Sequence, residues 1–260
     1  MESKPMEGKI AIVTGGASGI GRTISSRLSK AAATVIIFGR NVERGNKAVA
    51  EITDDGGKAE FYRTDLISGE EIERSMSQVL TKYETVDILV NNAGISGFMG
   101  PVADTPMQEV EDVLKVNLTS IFHLSKLVLP KMIENKYGRI INISSVAPRV
   151  TPPNSATYNM SKAAVNALTK TLSREVASYG ITVNAIAPGL VMTERILKSR
   201  LPGMARESGI SPEEMLQKLT EGTDTHRLTR EEDVAELVMF LASKASQNIT
   251  GEIVNVAGGF

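Results

Sequence analysis

Short β-branched runs separated by longer amphipathic stretches set the strongest constraint on how this chain folds. Ile10–Val13, Thr34–Phe38, Ala59–Arg63, Val86–Asn91, Arg139–Ile143, Ile181–Ile186 and Ile253–Val256 are strand-sized and aliphatic. Between them lie helical patterns over Ile20–Ala31, Asn41–Asp54, Gly69–Tyr83, Met107–Asn135, Ala156–Tyr179 and Glu231–Ser243. Strands separated by helices predict right-handed βαβ units and a parallel sheet. Runs such as Val35-Ile36-Ile37-Phe38 and Ile140-Ile141-Asn142-Ile143 do not alternate in polarity, which suits strands covered on both faces. The length, 260 residues, suits one large α/β domain or two small ones. With no internal repeat, low-complexity tract or linker, one domain over 1–260 is expected. The stretch 193–229 breaks the rhythm with two prolines and Gly203, Gly209 and Gly222. It is too long for an ordinary connection and is expected to be a lid insertion, the alternative being two short packing helices.

Composition removes several mechanisms. There is no cysteine, hence no disulfide framework, thiolate nucleophile or cysteine-based metal site. The two histidines, His123 and His226, lie far apart and belong to no H-E-x-x-H or G-x-S-x-G context, so neither a metal site nor a serine-hydrolase triad is expected. Lys+Arg 29 against Asp+Glu 30 leaves no basic field for nucleic acid. Met1–Lys9 lacks a signal-like apolar run, and no apolar stretch approaches the ~18 residues of a membrane helix. A soluble cytoplasmic protein with no nucleic-acid or membrane partner is expected.

The first βα unit carries the first chemical signal. Lys9–Val13 runs into Thr14-Gly15-Gly16-Ala17-Ser18-Gly19-Ile20-Gly21-Arg22 and then a helix. A strand, a glycine turn and a helix N-terminus make an anion site, because backbone N–H groups face a pyrophosphate and missing Cβ atoms permit close approach. Gly15, Gly19 and Gly21 are spaced GxxxGxG rather than GxGxxG. An acidic residue for a ribose 2′-OH is usual about 20 positions on, yet Arg22–Val42 holds no Asp or Glu and the second strand ends Phe38-Gly39-Arg40-Asn41. Arg40 beside Gly39 points to NADP(H), with NAD(H) as the alternative should Arg40 be only a solvated surface charge.

An acid–base group is still needed, and Tyr158-Asn159-Met160-Ser161-Lys162 supplies one. A spacing of four puts both side chains on one helix face. A lysine ammonium at about 4 Å is worth roughly 4 kcal/mol at an effective dielectric of ~20. That is expected to lower the phenol from ~10 by up to about three units, towards the range of a general acid–base.

Taken together, Thr14–Gly21, Asn91-Asn92-Ala93-Gly94, Asn117, Ser144-Ser145, Tyr158-x-x-x-Lys162 and Pro188-Gly189 with Thr193 resemble the short-chain dehydrogenase/reductase family from about residue 8 to the end. The resemblance implies a Rossmann-type three-layer α/β/α sandwich, a doubly wound parallel sheet of about seven strands, no metal, and hydride transfer between NAD(P)H and a carbonyl or alcohol. It implies Tyr158 as proton donor or base and Lys162 as ribose contact and modulator of the tyrosine. Ser145, 13 residues before Tyr158, is implied as the oxyanion-type donor in preference to Ser144, and Asn117 as support for a water-linked proton relay. The implied cofactor contacts are Gly15, Ser18, Gly19, Ile20, Gly21 and Arg40, then Asp65 and Leu66 at the adenine, Asn92 and Gly94 at the ribose, Tyr158 and Lys162, and Gly189, Val191 and Thr193 at the nicotinamide end.

The Tyr–Lys gap of four, rather than six, favours C=O over C=C reduction. Ala257 stands where the family commonly has Asp, a departure expected to touch a subunit interface more than the chemistry. The expected substrate wall, Ser96, Phe98, Val146, Pro148, Leu190 and Met192, is mostly apolar and points to a neutral keto or hydroxy compound. Reductases acting on 3-oxoacyl groups of acyl carrier protein also resemble this chain. They carry basic residues at two places, of which Lys136 matches one and Tyr179 replaces the other, while Arg195, Lys198, Arg200 and Arg206 of the insertion are further candidates for an acidic carrier. A non-catalytic dinucleotide sensor is the reading from another class, and the complete set Asn117, Ser145, Tyr158 and Lys162 argues against it. Helices Met107–Asn135 and Ala156–Tyr179, apolar beyond one stripe, predict a homodimer or homotetramer.

Overall fold

The computed structural model describes residues 4–259. In chain order the named elements are β1 (Ile10–Thr14), α1 (Gly19–Lys30), β2 (Thr34–Gly39), α2 (Val42–Asp54), β3 (Lys58–Arg63), α3 (Gly69–Tyr83), β4 (Ile88–Asn91), α4 (Met107–Leu114), α5 (Ser120–Glu134), β5 (Gly138–Ile143), α6 (Ala147–Val150), α7 (Ala156–Val176), β6 (Ile181–Pro188), α8 (Leu201–Ser208), α9 (Pro212–Glu221), α10 (Glu231–Ala242) and β7 (Ile253–Val256). The strands form one seven-stranded sheet in the order β3-β2-β1-β4-β5-β6-β7, and every pairing is parallel.

Successive residues of each central strand feed opposite faces, as the pleat requires. Ala11, Val13, Val35, Ile37, Val90 and Ile141 meet Ile24 and Leu28 of α1, Ile52 of α2 and Val238 of α10. Ile12, Ile36, Leu89 and Ile140 meet Ile72 and Met76 of α3, Leu124 and Val128 of α5 and Leu172 of α7. Two apolar layers therefore clamp the sheet, which explains strands with no polar alternation.

The chain leaves β1 for β2 and β3 on one side, then returns to place β4 on the other side of β1. The order reverses there, so a crevice opens beyond the carboxyl ends of β1 and β4, where such sheets bind ligands. Helices α4 and α5 are one run joined by a π-helical turn over Lys115–Thr119, where the sequence pattern predicts an uninterrupted helix. Segment 193–229 holds a second π-helical turn, Ile196–Arg200, followed by α8 and α9, whose Leu201, Ala205 and Met215 form a small apolar cluster. Helix α9 begins with a capping box in which Ser211 and Glu214 satisfy each other's backbone N–H groups. No helix among the described residues is long and apolar enough to cross a membrane.

Helix α2 approaches β3 so closely that only glycine fits at their contact. A Cβ added to Gly45 would stand 2.3 Å from Cδ2 of Phe61. Overpacking of this kind costs about 1–3 kcal/mol. Gly45→Ala is accordingly expected to lower the thermal midpoint by several degrees, and Gly45→Ala with Phe61→Leu to regain part of the loss in a calorimetric scan.

Candidate active site

The crevice is a groove of about 830 Å³. Its floor is the glycine turn after β1, where Gly15 and Gly19 have φ of 65° and 52°, a left-handed backbone that glycine adopts at little cost. A Cβ added to Gly21 would stand 2.3 Å from the Gly15 carbonyl oxygen and 2.4 Å from Nδ2 of Asn92. That same Nδ2 donates to the carbonyl of Thr14 at 2.8 Å, and Thr14 Oγ1 accepts from the N–H groups of Asn92 and Ala93 at 2.9 and 3.0 Å. The ends of β1 and β4 are thus locked together. The N-cap of α1, Ser18, makes no capping bond with its side chain and the first turn carries no acid, while the Glu231 carboxylate accepts from Thr23 Oγ1 at 2.9 Å one turn further on. A phosphate-bearing dinucleotide fits this cradle: the turn has no room for side chains, and an anion would meet a helix N-terminus without a side-chain cap.

The expected cofactor residues divide. Gly15, Ser18, Gly19, Ile20, Gly21, Arg40, Asp65, Leu66, Asn92, Gly94 and Thr193 line the groove. Tyr158, Lys162, Gly189 and Val191 stand behind or beyond it. Val191 is buried and bridges Thr229. Gly189 donates to the Val256 carbonyl and lies close to Ala257, so the residue at 257 bears on the site's far wall. Arg44, Glu194, Arg195 and Lys198 also line the groove. None of the four was expected there, although Arg44 falls one helical turn after Arg40.

The acid–base residues cluster where β5 ends against α7. Lys162 is 3% exposed and its Nζ donates to the Ile143 carbonyl at 2.7 Å. Burial pushes its ammonium down from 10.5 to about 8. Gly94 joins this cluster to the groove: an added Cβ would stand 3.3 Å from Oδ1 of Asn117 and 3.5 Å from Nζ of Lys162. Asn117, fully buried in the π-helical turn, accepts from the Ile95 N–H at 2.8 Å. Its Nδ2 donates to the Ile95 carbonyl at 2.9 Å and to Ser161 Oγ at 3.0 Å. Ser161 in turn donates to the Tyr158 carbonyl at 2.8 Å. A π turn is a frequent device at functional sites; here it places an amide that ties the loop after β4 to α7.

The two serines have different surroundings. Ser144 is buried, bonded to Asn166 Oδ1 at 2.6 Å and to the Lys162 carbonyl at 3.3 Å. Ser145 accepts from the Ala147 N–H at 3.1 Å and stands beside the Tyr158 hydroxyl. The loop leading to α7 is tied down as Ser155 Oγ and Asn159 Nδ2 donate to the Pro152 carbonyl at 2.8 and 3.2 Å.

The direction of the phenol's shift is the opposite of the one that the lysine spacing alone predicts. Burial pushes the Tyr158 hydroxyl above its ordinary value, opposed by the hydrogen bond from Ser145 and by the charges of Arg200 and Arg195. Lys162 Nζ lies 5.8 Å from the centre of the tyrosine ring and donates to the Ile143 carbonyl. Ser96, Phe98, Val146, Pro148, Leu190 and Met192 are all half-buried. His123 pairs with Glu73 at 3.1 Å, away from these groups.

The model of the family described as short chain dehydrogenase matches residues 9–201. The 3-oxoacyl-[acyl-carrier-protein] reductase FabG of Aquifex aeolicus (strain VF5) is 37% identical over 263 residues, covering 100% of this chain and 99% of the relative. The crystal structure of an NAD+-bound xylitol dehydrogenase superposes with a TM-score of 0.92 at 32% identity, covering 98% of this chain and 100% of that one. That of an actinorhodin polyketide ketoreductase with NADPH gives 0.91 at 35% identity, covering 96% of each.

The depressed ammonium makes a stability prediction. Between about pH 8 and 10.5 the unfolded chain holds the Lys162 proton and the folded one does not, so stability from this group rises with pH in that window. Below it the buried charge costs about 3 kcal/mol, less about 1 kcal/mol for the bond to Ile143. Lys162→Met is expected to be more stable than the wild type at pH 7 by about 1–3 kcal/mol, with the advantage shrinking towards pH 10. Denaturant midpoints of both proteins at the two pH values check this, and an advantage independent of pH contradicts it.

Proposed function

This chain belongs to the short-chain dehydrogenase family, and we propose that within it the chain is an NADP(H)-dependent oxidoreductase interconverting a ketone and a secondary alcohol on a mostly neutral, apolar compound. The observation that carries the reading is that Gly94, a groove residue, lies beside Lys162 and Asn117, which supports treating the dinucleotide groove and the acid–base cluster as one site.

The groove residues Gly15, Ser18, Gly19, Ile20, Gly21, Asn92 and Gly94 would hold the dinucleotide's phosphates and ribose, with Asp65 and Leu66 at the adenine and Thr193, Gly189 and Val191 towards the nicotinamide end. The bound dinucleotide supplies or accepts the hydride. In the reducing direction Tyr158 donates its hydroxyl proton to the carbonyl oxygen. A phenol raised by burial keeps that proton at neutral pH, as a general acid must. Once the proton is given up, the positive charges of Arg200 and Arg195 stabilise the phenolate. Ser145 donates to the oxygen on which charge develops. Lys162 presents a cation through the Gly94 gap, its remaining N–H groups available to the ribose. Asn117 holds the loop wall and, through Ser161, the backbone of Tyr158.

Arg40 supports NADP(H): it is exposed on the groove wall, and among the described residues it makes no ion pair with an acidic side chain. Ser96, Phe98, Val146, Pro148, Leu190 and Met192 would form the substrate wall. An acyl-carrier-bound 3-oxo substrate is the second reading, favoured by the FabG relative. Against it, two of the four insertion cations, Arg195 and Lys198, line the cofactor groove. Helix α5 exposes Phe122 and α7 exposes Met160, which supports a homodimer or homotetramer built on these faces.

The test is NADPH oxidation with a panel of ketones. Tyr158→Phe is expected to lower kcat by about 10²–10⁴-fold with NADPH affinity unchanged, and full activity of that variant contradicts the mechanism. Arg40→Asp is expected to move the kcat/KM ratio towards NADH, and an unchanged ratio contradicts the role of Arg40.

A further inference from the structure

The wall of the groove opposite β2 and α2 comes from the start of the insertion. Arg40 and Arg44 stand on one side, and Glu194 and Lys198 on the other. Each wall is locally fixed. Asn41 Oδ1 accepts from the Arg44 N–H at 2.8 Å, capping α2 directly after Arg40. Thr193 holds the insertion's first turn by accepting from Ile196 N–H at its hydroxyl, 3.3 Å, and from Leu197 N–H at its carbonyl, 3.0 Å.

Lys198 and Glu194, four residues apart on that turn, are hydrogen-bonded as an ion pair. The Glu194 carboxyl is held below its ordinary value first by Lys198 and further by the charges of Arg44 and Lys47 across the groove. One carboxylate thus stands among cations from both walls. Within Arg22–Val42, where an acid for a ribose hydroxyl would be expected, the chain has none.

Resting on the NADP(H) reading, we propose that the insertion supplies a second half of the 2′-phosphate site. Lys198, which lines the same groove as Arg44, adds to Arg40 in holding the phosphate, and Glu194 is the carboxylate that the phosphate displaces from these cations. A phosphate monoester carries close to two negative charges and three acceptor oxygens, against one charge for Glu194. A 2′-phosphate is therefore the stronger partner for the same cations, and a ribose bearing only a hydroxyl leaves Glu194 where it is. Cofactor choice is then set by the insertion as well as by the end of β2.

Equilibrium binding to the full chain tests this with four probes: NADPH, NADH, 2′,5′-ADP and 5′-AMP. Lys198→Gln is expected to weaken NADPH and 2′,5′-ADP by about fivefold and to leave NADH and 5′-AMP unchanged. Glu194→Gln is expected to tighten the first two, and both effects are expected to shrink in high salt as exposed charge interactions do. A wild type that prefers NADPH, with Lys198→Gln shifting all four probes equally or none, overturns the role of the insertion and leaves the NADP(H) reading standing. A wild type that binds NADH as tightly as NADPH overturns the NADP(H) reading and this inference with it.

Discussion

A lysine ammonium removed from water must be met by groups the fold places around it, and the burial of Lys162 organises the neighbourhood of β5, α7 and the β4 loop. Its bond goes to the carbonyl of Ile143, the last residue of β5, so α7 has to lie along that strand at one register. Ser144 secures the same register from the other direction by bonding the Lys162 carbonyl and Asn166. The opening towards the groove is left by the missing side chain of Gly94, and its rim is held by Asn117. A cation pushed down to about pKa 8 is costly to keep. The burden is one that a site accepts when the charge has work to do on a bound ligand.

The parallel sheet serves this arrangement by bringing three carboxyl-terminal strand ends together. The glycine turn follows β1, the Asn92–Gly94 loop follows β4 and the serine pair follows β5. The crevice at the reversal of strand order takes the phosphates against the N-terminus of α1. The adjacent β5 end takes the proton chemistry. Thr14 and Asn92 weld the first two together, so the geometry of the cradle and that of the acid–base group are not independent.

Much of this was legible in the residues themselves. Each strand read from the sequence lies within two residues of its observed start and end, and for the central strands the reason is that burial on both faces leaves an uninterrupted aliphatic record. Tyr158 and Lys162 lie one turn apart on α7, as a spacing of four within a helix requires. The unreadable part was what depends on the third dimension. Helical spacing predicts that the lysine lowers the phenol, but where a buried Nζ spends its hydrogen bonds depends on Ile143, distant in sequence. The π turn at Asn117 leaves no mark in a hydrophobic pattern that reads as one helix. Glu194 and Lys198 lie roughly 175 residues beyond the cradle, and only the fold brings them to its rim.

The central claim is that the site presents a protonated tyrosine beside a buried cation, with the phenol raised by desolvation and the ammonium lowered by it. A difference ultraviolet titration of wild type against Tyr158→Phe, without cofactor, reads the ionisation of that one phenol. The structure predicts a midpoint above the ordinary tyrosine value of about 10. A midpoint clearly below it, with the lysine dominating the phenol after all, would contradict the account.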